Sequence, residues 1–139
     1  MIFLVYVSSA TKLFSEPELV NLLEKARENN LRSGITGMLL YSNGNFIQVI
    51  EGEKLPVLAL HEKIQTDPRH TNILTLLQRP ITERMFDNWS MGFRNLDLIT
   101  EEIMPGFNSF LQETLRPEML SQNAERVYKL LLTFRETMR

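Results

Sequence analysis

The chain has 139 residues, with 15 Lys and Arg against 17 Asp and Glu, so its formal charge of −2 and pI near 5.7 give no electrostatic argument for nucleic acid or an anionic membrane as partner. It has no cysteine, which excludes disulfides, thiolate metal sites and a cysteine nucleophile and suits a reducing, cytoplasmic setting. The length suits one domain burying roughly two-thirds of its unfolded surface, with no room for a second catalytic domain, and no apolar run is long enough to span a membrane.

Residues 2 to 8 alternate Phe3, Val5 and Val7 against Ile2, Leu4, Tyr6 and Ser8, a strand buried on both faces. The stretch lacks a basic leader and does not read as a signal peptide. By residue type alone Tyr6 is a core tyrosine whose hydroxyl needs a partner. Ser15-Glu16-Pro17-Glu18 is a capping box with proline in the first turn. The helix it opens has the stripe Leu19, Leu22, Leu23 and Ala26, and Asn29-Asn30 is expected to end it. Both asparagines cap a helix beside a sheet, where their amides could also meet a bound ring.

Gly34 to Glu53 reads as a hairpin around Asn43-Gly44, a pair that favours a type I′ turn. The turn sets the register: Ser42 opposite Asn45, Tyr41 opposite Phe46, Leu40 opposite Ile47, Leu39 opposite Gln48 and Met38 opposite Val49. One face then carries Gly37, Leu39, Tyr41, Phe46, Gln48 and Ile50, and the other Met38, Leu40, Ile47 and Val49. Both faces are apolar and need cover. Gln48 is the exception, because each unpaired group of its amide would cost roughly 1–3 kcal/mol in such a place.

Pro56 to Thr66 is expected to form a second helix with Val57, Leu60 and Ile64 inward, broken at Asp67-Pro68. Lys63, Arg69 and His70 near its end could together hold a phosphate. Ile73 to Leu77 reads as the next strand. Asn88 to Arg94 reads as a fifth, with Trp89, Met91 and Phe93 on one face. Two amphipathic helices follow, one within Thr100 to Leu115 and one from about Ser121 to Met138 bearing Val127, Leu130, Leu131 and Phe134. The fold class is therefore α+β: a ferredoxin-like β-α-β-β-α-β order plus a fifth strand. It gives a mixed five-stranded sheet with two helices on one face and the C-terminal helices on the other.

At VYVSS, ENNLRSGITGMLLY, FIQVIEGE, DPRHTNI and FDNWSM the chain resembles a known family, the BLUF domains that sense blue light using FAD. The likeness covers residues 2 to 96, which suggests a photosensor domain over 1–96 and a helical extension over 97–139, as in short members without an output enzyme. The resemblance implies that Tyr6 is an electron-donating tyrosine and Gln48 the glutamine between it and the flavin. It implies that Asn30 binds the pyrimidine edge of the ring, with Asn29 at a less uniform contact. Lys63, Arg69 and His70 fall on the ribityl and phosphate side. Trp89 and Met91 match two residues with alternative placements beside the glutamine, and Ser8 matches a serine close to Tyr6 and Trp89. Light-driven electron and proton transfer among Tyr6, Gln48 and the flavin would rotate or tautomerise Gln48, leaving an oxidised, red-shifted signalling state that alters protein–protein contacts.

The resemblance thus implies a photoreceptor rather than an enzyme, with FAD, a downstream protein and further copies of the chain as partners and neither nucleic acid nor membrane. A redox flavoenzyme is the first alternative, but the chain has no Gly-x-Gly-x-x-Gly motif. An RNA-binding module on the same fold is the second, but the middle strands lack the basic-aromatic pattern that stacks bases.

Overall fold

The structure, a computed structural model, describes residues 1–86, 89–98, 106, 112–114, 116, 119 and 122–137. At the hairpin tip Asn43 and Gly44 both have positive φ, 46° and 79°, as a type I′ turn requires. The strands β2 (Thr36–Ser42) and β3 (Asn45–Gly52) pair antiparallel in the expected register, from Ser42 with Asn45 to Met38 with Val49 and on to Thr36 with Glu51. On its other side β3 pairs antiparallel with β1 (Ile2–Ala10), which pairs in turn with β4 (His70–Pro80). A short β5 (Gly92–Asn95) lies parallel to β2. The sheet order is β4-β1-β3-β2-β5, a mixed five-stranded sheet of the ferredoxin-like type.

Two strands and the first helix differ most from the sequence reading. The edge strand β4 is longer than Ile73 to Leu77. Its pairing with β1 shifts register twice, and Asn72 takes φ 52°, the local kink of a bulged edge. The fifth strand is shorter than Asn88 to Arg94. Asn88 lies outside the described residues, the Trp89 N–H donates to the Phe86 carbonyl at 3.0 Å, and strand pairing begins only at Gly92. The first helix, α1 (Glu16–Ser33), runs past Asn29-Asn30 and ends at Gly34, whose φ is 68° and whose N–H caps the carbonyls of Asn30 and Leu31. Glycine reaches this left-handed conformation without the side-chain penalty that asparagine carries, so it outcompetes the asparagines as the stop.

The capping box forms as expected, with the Ser15 hydroxyl accepting from the Glu18 N–H and the Glu18 carboxylate accepting from the Ser15 N–H. The second helix, α2 (Lys54–Gln65), starts two residues before Pro56. Together α1 and α2 cover one sheet face: Leu19, Leu23 and Val57 pack on Leu4, Tyr6, Leu39, Phe46 and Ile50. The last helix, α3 (Ala124–Thr137), covers the other. Its Val127, Leu130, Leu131 and Phe134 pack on Val5, Met38, Leu40, Ile47 and Val49. The helix expected within Thr100 to Leu115 lies outside the described residues, apart from Gly106 and a helical turn at 112–114, and so does Met138.

Candidate functional site

Register brings the first two candidates together. Tyr6 and Gln48 are directly opposed partners on the central strands β1 and β3, so their side chains leave the sheet on the same face. Both are buried. The Tyr6 hydroxyl donates to Gln48 Oε1, and Gln48 Nε2 donates to the Met91 thioether at 3.2 Å. Burial, with a smaller contribution from the Asp67 carboxylate, raises the pKa of Tyr6 far above its ordinary value. The phenol therefore keeps its proton throughout the physiological range and is always available as a donor.

Above this pair lies a cavity of about 320 Å³ between α1 and α2. Tyr6, Gln48 and Leu39 form part of its wall, and Asn29, Asn30, Lys63, Arg69 and His70 also line it. Asn30 is buried and donates from Nδ2 to the Ser90 carbonyl at 2.9 Å. Arg69 is gripped by Asp67, at 2.6 Å from Nη2 and 3.0 Å from Nε, and this pairing holds the Asp67 carboxyl below its usual range. Lys63 has no ion-pair partner among the described residues. His70 shares a hydrogen bond with Ser8 through Nδ1 at 2.9 Å and rests against the Phe46 ring. Its pKa is lowered, mainly by burial.

Three candidates lie outside the cavity lining. Ser8 meets His70. Met91 sits behind Gln48 in the core on the α1/α2 side. Trp89 packs against the core on the α3 side. The expectation that Trp89 and Met91 share a face fails because the chain bends at Ser90 and the strand begins only at Gly92, so period two does not apply between Trp89 and Met91. Gly92 makes room for the indole, since a Cβ there would stand 2.7 Å from Trp89 Cε3.

The family model for BLUF, sensors of blue light using FAD, matches residues 1–92, the span that holds every one of these side chains. The chain belongs to the BLUF family. It is 39% identical over 105 residues to photoactivated adenylate cyclase subunit beta of Euglena longa and 37% identical to that of Euglena gracilis. Each match covers 75% of this chain but 12% of the cyclase subunit, so the chain spans a small part of these relatives' length. A solved bacterial light-regulated adenylyl cyclase matches 96% of the chain with TM-score 0.79 and 37% identity, over 40% of its own length. BlsA in its photo-activated state matches with TM-score 0.75 and 34% identity, over 94% of both chains. BlrB, a BLUF protein in its dark state, gives 0.70 and 30%, over 91% of this chain and 93% of that one.

Within this BLUF fold the structure adds residues that sequence reasoning passed over. Lys25 and Asp67 line the cavity. Arg27 on α1 donates from Nε to the Met91 carbonyl at 2.8 Å. The Trp89 carbonyl is held by the Gly37 N–H and that of Ser90 by Asn30, so three consecutive carbonyls behind Gln48 are tethered to α1 and β2. Glu51 is a fully buried carboxylate on β3. The signal for Glu51 was present, because it stands at an inward position of an apolar strand just as Gln48 does. Lys25 and Arg27 gave none, since exposed helix cations are ordinary. Among the described residues no helix is long and apolar enough to cross a membrane, and no group of His, Asp and Glu could hold a metal ion.

Proposed function

We propose that this chain is a blue-light photoreceptor that binds FAD without a covalent bond and signals by changing its contacts with a downstream protein or with further copies of itself. In this reading residues 1–96 form the photosensor and 97–139 an extension packed on the sheet. The observation that carries it is the buried Tyr6–Gln48–Met91 series of hydrogen bonds in the wall of the inter-helix cavity.

The residues fit a flavin. A cavity of about 320 Å³ lies at the low end of small-molecule sites, enough for a flat ring system with the nucleotide tail outside. The amides of Asn29, Asn30 and Gln48 can match the donors and acceptors of such a ring. Lys25 and Lys63 at the rim suit its phosphates better than Arg69, which Asp67 already neutralises in part. When bound, the flavin supplies blue-light absorption and an excited state that accepts an electron.

The chain itself supplies a two-position element. Gln48 Oε1 accepts the Tyr6 proton and Nε2 faces the Met91 sulfur, a weak acceptor. A half-turn of the amide exchanges the two atoms, so that Nε2 donates to the Tyr6 oxygen and Oε1 faces the thioether. Both arrangements keep one strong bond to Tyr6. They differ in which amide atom meets Tyr6 and which meets the sulfur, so a local event that supplies or removes a hydrogen-bond partner at the site can set the state. The central strands are covered on both faces by helices, which leaves no platform for stacking bases and argues against an RNA-binding module.

The test is an absorption spectrum of purified protein before and after blue light, with the released cofactor chromatographed against FAD and FMN standards. Wild type should release FAD and show a dark-reversible red shift. Tyr6→Phe, without the phenolic proton, and Gln48→Leu, without the exchangeable amide, should bind flavin at matched occupancy and give no shift. A full reversible shift in either variant would refute the Tyr6–Gln48 switch.

A further inference from the structure

Glu51 has no place in that switch, yet it is a carboxylate with no exposure at all. Buried charge of this kind persists only with several donors or a countercharge. Its donors are the Thr36 hydroxyl at 2.7 Å and the backbone N–H groups of Met85 and Phe86 at 2.9 and 3.1 Å. The peptide joining Met85 to Phe86 is held at its other pole as well, because its carbonyl accepts from Arg135 Nη1 on α3 at 2.7 Å. One amide dipole thus lies between a carboxylate at its N–H and a guanidinium at its C=O, and each charge strengthens the other's hydrogen bond. Arg84 adds a second cation through the Thr36 hydroxyl at 3.0 Å.

The next peptide along the chain, whose carbonyl is that of Phe86, is tied to the Gln48 side of the sheet. The Phe86 carbonyl accepts from the Trp89 N–H, the Trp89 to Met91 carbonyls are anchored to β2 and α1, and the Met91 sulfur meets Gln48. We propose that Glu51 and Arg135 are positioning residues that clamp α3 to the sheet through the Met85–Phe86 peptide, and that this clamp carries the state of the Gln48–Met91 contact to α3. The second half rests on the photoswitch reading above.

Hydrogen–deuterium exchange over residues 124–135 tests both halves, on flavin-loaded protein in the dark and under blue light. Glu51→Gln and Arg135→Ala should speed α3 exchange in the dark by about tenfold or more, as loss of a charge-assisted hydrogen bond implies. Arg135→Lys, which can still donate to the Met85 carbonyl, should restore most of the protection. In wild type, α3 exchange should change with light; in Arg135→Ala the light effect should vanish while the red shift remains. If Glu51→Gln does not fold, the two variants of half-buried Arg135 decide the matter. Dark exchange in Arg135→Ala equal to wild type would overturn the clamp. A red-shifting wild type with identical α3 exchange in dark and light, or a light response retained in Arg135→Ala, would overturn the coupling. A wild type with bound flavin and no red shift would instead defeat the photoswitch, and the dark comparison would still decide the clamp.

Discussion

At the scale of single residues, the contact that matters most was not legible. Alternation placed Trp89 and Met91 on one face, whereas the chain bends at Ser90 and the two pack on opposite sides of the sheet. Periodicity reports a strand only while the backbone stays extended. Tyr6 and Gln48 were legible, because each is a polar group at an inward position and the fold makes their strands neighbours. The placement of Met91 gives a prediction. Met91→Leu keeps the bulk but removes the sulfur that Nε2 meets in the dark arrangement, and leaves the flipped arrangement unaffected. Recovery re-forms that contact, worth roughly 0.5–1 kcal/mol, and to the extent that it is in place at the barrier its loss should slow dark recovery, by up to about two- to fivefold. Trp89→Phe, on the far face, should leave recovery unchanged. Recovery of the absorbance after a blue pulse checks both, and equal effects would contradict the placement.

At the scale of elements, the hairpin was read to the residue because Asn-Gly fixes the turn and the turn fixes every pair beyond it. Ends of elements were read less well. Gly34 displaced Asn30 as the stop of α1, and the long edge strand β4 gave weak alternation because its bulges break the period. The need for a cover on the Met38, Leu40, Ile47 and Val49 face followed from counting apolar faces, and α3 supplies it. Val127, Leu131 and Phe134 are buried, and at roughly 1.5–3 kcal/mol for each such side chain their sum rivals the about 5–15 kcal/mol that holds a domain together. Ending the chain after Leu96 should therefore cause aggregation or a changed oligomer, seen by size-exclusion chromatography with light scattering. A truncated protein with unchanged solubility, stability and association would contradict it.

At the scale of the whole molecule, both histidines are pulled below their ordinary pKa, His61 by burial and His70 by burial with Arg69 adding and Asp67 opposing. The fold thus prefers them neutral, and the unfolded chain binds more protons once the pH drops below about 6.5. Their contribution is complete above that value and is lost as pH falls through the folded-state values. Urea midpoints should decline from pH 7.5 to pH 5.5, and His70→Gln should flatten part of the slope; a flat profile in wild type would contradict this. The sheet order has a different consequence, for synthesis. β1 lies between β3 and β4, so it leaves the ribosome well before either flank and about 60 residues before β4. At about 5–20 residues per second that is an interval of roughly 3–12 s in which an almost wholly apolar strand has an open edge. During that interval the unpaired edge of β1 is open to pairing with other chains, an exposure that ends when β4 arrives and pairs with it.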